Sequence, residues 1–194
     1  PEYLDQDHGS THVVVNDALR HWHAVHSLSV IYRDAYFHHL NDRFKEKWAQ
    51  YSRLTKTAKE MYFDAGVAVV AHPIPRAKAP LCTVVGGSPS PTRIYYVSIT
   101  WHGKGRTGAP SNPTAIELKT GGNLRVHPSE IPSDVDGWSV YVGVAADSLG
   151  KQNIAPISND DVWLQADVVG VGEGPGIGQA PTAYVRACLL LQRG

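Results

Sequence analysis

The sequence is poor in the features that mark several protein classes. Among 194 residues it has two cysteines, and its 18 basic side chains balance 18 acidic ones. Cys82 and Cys188 match neither a metal-ligand spacing nor a disulfide framework. Without net charge there is no basic field to hold nucleic acid or an anionic membrane, and the apolar runs are far shorter than the roughly 20 residues that span a bilayer. We therefore expect protein partners, no sequence-specific nucleic acid and no membrane.

Glycine and proline are absent from residues 16–65, the longest such stretch of the chain. Their absence favours helix. Asn16 is suited to cap the first helix. Six residues after this cap form an imperfect stripe along one face of the helix: Leu19, Trp22, His26, Val30, Arg33 and Leu40.

The second half of this stretch has a cleaner amphipathic pattern. Seven residues follow alternating spacings of four and three: Phe44, Trp48, Tyr51, Thr55, Ala58, Tyr62 and Ala65. Most charged residues lie off this seam. Asn41 is suited to cap a second helix and so make a helical hairpin; otherwise the two halves form one long bent helix. Gly66 occupies a helix C-terminal position, so we expect the helical part to end near residue 65.

From Val67 onward, short β-branched and aromatic runs alternate with turn residues. Six runs are candidate strands: 94–101, 114–118, 123–127, 137–144, 162–168 and 183–192. In the first, apolar and polar residues alternate, so we expect one buried face and one polar face. The fold class is therefore α+β, a helical hairpin or long helix followed by an antiparallel β-sandwich. The expected parts are a helical segment at 1–70, an extended Pro-rich linker at 71–91 and the sandwich at 92–194.

The residue patterns indicate no catalytic, metal or cofactor site. Ten histidines are present, but without an HExxH motif or another metal-ligand spacing. The glycine-rich run 170–178 superficially suggests a phosphate loop, yet neither the lysine nor the helix of such a loop follows it. The GxSxG nucleophile motif is absent as well. We expect no catalysis, metal or cofactor, and we interpret the glycine run as an exposed β-hairpin or loop that orders on contact with a neighbour.

Two groups of residues are candidate interface positions. The aromatic seam needs a partner, because aromatic rings left in water forfeit their burial energy. We expect Trp48 and Tyr51 to contact another helix, either of the same subunit or of a neighbouring one. The glycine loop has no other assigned role. The candidates are Trp22, Phe44, Trp48, Tyr51, Tyr62, Gly172, Gly174 and Gly176.

Two segments resemble parts of the fibronectin type III sandwich, which is immunoglobulin-like. Residues 95–103, followed by Gly-Ala-Pro-Ser at 108–111, are similar to a late strand and turn of that family. Residues 137–143 are similar to an earlier central strand. Their order is the reverse of that in a family domain, so the resemblance implies the architecture or a permuted variant.

Together with residues 28–35, 41–44 and 73–77, these segments make residues 16–145 resemble small virion proteins of tailed bacteriophages, and more narrowly those that join head to tail. The resemblance implies a non-enzymatic virion protein, assembled in the host cytoplasm, whose copies form a ring that docks onto portal, neck or tail components. Two alternatives are a secreted or surface fibronectin-like module that binds carbohydrate or protein through exposed aromatics, and an enzyme with an unrecognised site.

Overall fold

The computed structural model describes residues 10–39, 41–86, 92–119, 122–165 and 169–186. Two helices come first and antiparallel strands follow, so the predicted α+β class with an N-terminal helical hairpin is confirmed. The described chain forms two compact units. Residues 10–71 and 180–186 belong to the first unit, and residues 72–179 form the second.

The hairpin of the first unit consists of α1 (Asp17–His39) and α2 (Asp42–Ala65). Both predicted caps are confirmed: Leu19 N–H donates to the Asn16 carboxamide oxygen at 2.9 Å, and Arg43 N–H donates to that of Asn41 at 3.0 Å. Gly66 ends α2 with a φ of 94°, which favours glycine. The cap at Asn41 separates the helices, so the alternative of one long bent helix is wrong.

The face of α1 that packs on α2 differs from the predicted stripe. His26 and Arg33 are exposed, whereas Val25 and Ser29 are buried. Ser29 and Ser52 share a hydrogen bond of 3.0 Å between their hydroxyls. A serine at the centre of the contact hides the face from a search for apolar residues. On α2, Ala65 is exposed and does not belong to the seam, and Leu40 lies outside the described residues.

Strand β1 (Val67–Val69) pairs antiparallel with the last strand of the chain, β10 (Ala183–Val185). Residues 12–14 lie along the other edge of β1, where Val14 N–H donates to the Ala68 carbonyl at 2.8 Å. Residues 180–186 therefore belong to the first unit, and the prediction that the sandwich extends to residue 194 is wrong for this segment. The rest of the predicted strand 183–192, beyond residue 186, lies outside the described residues.

The second unit contains two antiparallel sheets. One has the order β2–β6–β9, and the other has the order β4–β3–β7–β8 with β5 also paired to β3. The strands are β2 (Leu81–Gly86), β3 (Arg93–Gly103), β4 (Arg106–Thr107), β5 (Thr114–Leu118), β6 (Gly122–His127), β7 (Gly137–Gly143), β8 (Gly150–Lys151) and β9 (Trp163–Leu164).

Two segments predicted from the sequence, the linker and one strand, have different bounds in the structure. All six residues of β2 pair with β6, so the segment predicted as a linker at 71–91 includes a sheet strand. Its β-branched residues Thr83, Val84 and Val85 and its lack of charged side chains are typical of a strand, but the neighbouring prolines obscure this signal. The predicted strand 162–168 is paired only at Trp163 and Leu164, and residues 166–168 are outside the described part.

The two sheets share one apolar core. Its fully buried members come from both sheets: Val97, Ile99 and Trp101 of β3, Leu118 of β5, Leu124 and Val126 of β6, and Trp138, Val140 and Val142 of β7. The opposite face of β3, predicted to be polar, carries Ser98 and Thr100 with no exposed surface. This second face is polar, as predicted, but it is covered by other segments of the same unit. The candidate functional surfaces lie on this polar face of the sheet and on the helical hairpin.

In the described part of the chain, neither helix combines the length and the apolar character of a membrane span.

Candidate functional site

The predicted aromatic seam is the contact between the two helices of one chain. Tyr51 stacks on Tyr32, with ring centroids 5.4 Å apart and planes 3° from parallel. Trp48 packs against Tyr36 and Phe37 at 6.0 and 5.8 Å. The expectation that Trp48 and Tyr51 contact another helix is confirmed, and that helix is α1 of the same chain.

The remaining seam candidates also have contacts inside the hairpin. Trp22 packs between Tyr62 and Phe63, at centroid distances of 5.7 and 5.6 Å. Phe44 lies 6.5 Å from the Tyr32 ring. Tyr62 is only 3% exposed, and burial raises the pKa of its hydroxyl. These rings stabilise the hairpin, so any surface left for a partner lies beside the seam.

One side of the hairpin carries exposed aliphatic side chains. Ile31, Leu54 and Met61 are 59%, 43% and 68% exposed. Leu54 and Met61 directly precede seam residues of α2, and Ile31 directly precedes Tyr32 of the α1 contact face. Each is therefore rotated by about 100° to the same flank of its helix. In an antiparallel pair, equivalent flanks of the two helices lie on one side. Ala24, Leu28 and Ala35 also precede residues of the α1 contact face. We call this set of six the apolar flank: Ala24, Leu28, Ile31, Ala35, Leu54 and Met61.

The glycine-rich segment has a defined place in the second unit. Residues 170–178, which we call the strap, run alongside β8 and are held at both ends. The side chain of Gln152 exchanges hydrogen bonds of 2.8 and 2.9 Å with the backbone of Gly170. At the other end, the Gln179 amide donates to the His72 carbonyl at 2.9 Å. The strap has a defined conformation within a single chain, so contact with a neighbouring molecule is not needed to order it.

Glycine is needed where the strap touches the sheet. Lys151 N–H donates to the Glu173 carbonyl at 2.9 Å. A Cβ added to Gly150 would lie 2.6 Å from the Gly172 nitrogen, and a Cβ on Gly172 would lie 2.7 Å from the Lys151 nitrogen. Two backbones therefore meet without side chains between them. Gly172, Gly174 and Gly176, the remaining interface candidates, are all exposed on their outer side.

The strap and the polar face of the sheet enclose a half-open cavity of about 250 Å³. From the sheet side it is lined by His102, Thr107, Tyr141 and Lys151, and from the strap side by Glu173 and Pro175, with glycines completing the wall. Tyr141 and Lys151 are register partners on β7 and β8, so their backbones lie side by side. Long-range pairing brings these residues together, and sequence reasoning identified none of these six side chains. The only signal in the sequence was the density of glycine in the strap.

The ring of His102 is fixed by two hydroxyl groups. Its Nε2 lies 2.8 Å from the Ser139 hydroxyl and its Nδ1 lies 3.2 Å from the Thr107 hydroxyl. Ser139 also accepts from the Asn153 amide at 3.0 Å, and Val140 N–H, which donates to the Asn153 oxygen, fixes the orientation of that amide. Burial, and secondarily the charge of Lys151, lower the pKa of His102. The imidazole is therefore neutral at pH 7 and serves as a rigid wall.

A serine hydrogen-bonded to a histidine is also the start of a nucleophilic constellation. Ser139 has no exposed surface, and its oxygen is engaged by both His102 and Asn153. The cavity is lined by His102 but not by Ser139. The contacts thus describe a structural network that orients the histidine. In the described residues, no three His, Cys, Asp or Glu side chains come close enough to hold a metal ion.

Two opposite charges line the cavity without pairing. Among the described residues, the Lys151 ammonium and the Glu173 carboxylate form no ion pair within 4.0 Å, with each other or with a third group. Tyr141 is 5% exposed, and its hydroxyl forms no hydrogen bond to the described residues. The cavity therefore offers a donor, an acceptor and a hydroxyl to a bound molecule.

Two comparisons with known proteins found no match. No protein-family model matches the sequence, and no curated protein is significantly similar to it.

Proposed function

We propose that this chain is a non-enzymatic structural subunit whose copies assemble into a ring through the apolar flank of the helical hairpin. The observation that carries the proposal is the exposure of Ile31, Leu54 and Met61, which helix geometry places on one side of the hairpin. Single exposed apolar residues are ordinary on protein surfaces, but a contiguous set on one side marks an interaction surface.

The seam and the flank have different roles in this proposal. The seam aromatics are engaged within the hairpin, so they stabilise the subunit. The six flank residues are uncharged, whereas Arg43 and Lys47, which also precede seam residues of α2, place two exposed charges on the same side near the loop between the helices. An apolar surface is best covered by another apolar surface. A second copy of this chain can supply apolar surface, but a flank that packs on its own counterpart gives a two-fold dimer, whereas a closed ring needs a head-to-tail contact. The proposed contact is therefore head-to-tail, with the flank of one copy packed against a different surface of the next copy.

The narrower form of the proposal is a virion protein of the head-to-tail region of a tailed bacteriophage, in contact with portal, neck or tail components. It rests on the resemblance of residues 16–145 to such proteins. The confirmed helical hairpin and antiparallel sheets are compatible with it, and the flank supplies one of the two surfaces that a head-to-tail ring requires.

Charged substitutions in the flank test the assembly. The double variant Leu54→Glu, Met61→Glu places two carboxylates in the proposed contact, where burying an unpaired charge is costly. The matched control is Ile154→Glu, because Ile154 is also aliphatic and is fully exposed in the second unit. Light scattering coupled to size-exclusion chromatography should show an oligomer for the wild type and the control, and a monomer for the double variant.

Melting temperature separates assembly from folding. Leu54 and Met61 are outside the seam, so the isolated subunit should keep its helical signal in circular dichroism. Negative-stain images of the wild type should show rings. If the double variant kept the wild-type oligomer mass, the flank would not be the contact; an oligomer without ring symmetry would refute the ring.

A further inference from the structure

We propose that the cavity beneath the strap binds one sugar residue of a glycan. The inference does not rest on the assembly proposal, because every lining residue belongs to the second unit and the apolar flank belongs to the first.

The size of the cavity limits the ligand. Pockets for drug-sized molecules measure roughly 300–1,000 Å³. The cavity here is about 250 Å³ and open to solvent on one side. A single pyranose ring fits that space, and the open side leaves room for the glycosidic bond to the next residue of a chain.

The chemistry of the lining favours a ligand with many hydroxyl groups. Lys151 only donates hydrogen bonds, the Glu173 carboxylate only accepts them, and the hydroxyls of Tyr141 and Thr107 do both. A sugar hydroxyl also donates and accepts, so neighbouring hydroxyls of one ring satisfy all of these groups. The two charges cancel, and the neutral His102 adds none, which favours a neutral ligand over an anion or a cation.

The site is held in shape before any ligand binds. His102 is fixed by Ser139 and Thr107, and the strap is fixed at Gly170, Glu173 and Gln179. Little conformational entropy therefore remains to be lost on binding. A ligand with about a dozen non-hydrogen atoms is expected to bind with a Kd on the order of 1 mM.

Saturation-transfer NMR on the full chain tests the inference with defined probes. The probes are methyl α-glucopyranoside, methyl α-mannopyranoside, methyl β-galactopyranoside and N-acetylglucosamine. At least one should receive saturation and give a Kd in the millimolar range. Inorganic phosphate and glycine, an anion and a zwitterion of comparable or smaller size, are added as competitors, and their binding is read from the loss of the sugar signal, because phosphate has no carbon-bound proton to receive saturation.

Two substitutions locate the binding. Lys151→Met removes the donor and should weaken the sugar's affinity by at least about tenfold, since a hydrogen bond to a charged group is lost. Glu173→Gln keeps the shape of this exposed side chain but removes its charge, and it should also weaken the sugar's affinity. The matched control is Lys119→Met, which removes an exposed lysine of the same unit outside the cavity.

The outcomes are distinct. Sugar binding that is lost in Lys151→Met and Glu173→Gln and kept in Lys119→Met supports the inference, provided that each variant keeps the wild-type melting temperature. Lack of saturation on every sugar, sugar binding that is unchanged in both cavity variants, or preferential binding of phosphate or glycine would overturn it. The assembly-deficient flank variant should bind the same sugar, so failure of one proposal leaves the other testable.

Discussion

Gly172→Ala tests the close contact between the strap and β8. The added Cβ would lie 2.7 Å from the Lys151 nitrogen and nearer still to the Lys151 carbonyl oxygen. Real Cβ atoms do not approach a backbone so closely. The obstacle is the backbone of a sheet strand, which cannot rotate away like a side chain, so the strap must move.

The cost follows from the contacts that the movement breaks. Overpacking of this kind costs about 1–3 kcal/mol. Losing the hydrogen bond between Lys151 N–H and the Glu173 carbonyl adds about 1 kcal/mol, and the lower entropy of the unfolded alanine chain returns about 0.4–1 kcal/mol. We expect a net loss of about 2 kcal/mol in the free energy of unfolding, or about 4–8 °C in Tm for a chain of this length.

Gly174→Ala is the matched control for this experiment. It lies two residues further along the same strap, and its nearest neighbour would be the Leu149 carbonyl oxygen at 3.9 Å. Its Tm should stay within about 2 °C of the wild type. Differential scanning calorimetry of both variants decides the matter. Equal melting of the two variants would show that the strap does not lie against β8.

Three further predictions concern the hairpin and the histidine. Trp48→Ala should cost about 2 kcal/mol in chemical denaturation, less than a fully buried tryptophan, because Trp48 is partly exposed. Asn41→Ala should lose about 1 kcal/mol with its cap, whereas Asn41→Gly should lose only a few tenths. The lowered pKa of His102 means that the unfolded chain takes up its proton first, so stability should fall as pH drops below about 6.5. His102→Gln should reduce that fall in thermal melts from pH 7.5 to 5, and an unchanged pH profile would refute the neutral, buried imidazole.

The helical part was predictable because its signals are local. The breaker-free stretch, the caps at Asn16 and Asn41 and the stop at Gly66 each act within a few residues. The α2 seam was found because its aromatics repeat at helical spacing. The matching face of α1 was predicted only in part: Trp22 contacts α2, but His26 and Arg33 are exposed. The rest of the face was not predicted because Ser29, which lies at its centre, is polar.

The features of the β region that were missed depend on distant partners. β2 is a strand because β6 pairs with all of it, and proline-rich flanks suggested a linker instead. β10 belongs with β1, more than 100 residues earlier in the chain. Pairing also places Lys151 of β8 beside Tyr141 of β7, under a strap that begins some twenty residues later. Composition and periodicity carry no information about such neighbours.

The central claim is that copies of this chain associate through the apolar flank, and the mass of the protein in solution tests it most directly. Sedimentation velocity over a concentration series from about 1 to 100 µM should show a discrete species several times heavier than the 21.1 kDa chain. Leu54→Glu, Met61→Glu should sediment as a monomer under the same conditions. A wild-type protein that stays at 21.1 kDa throughout the series would contradict the claim.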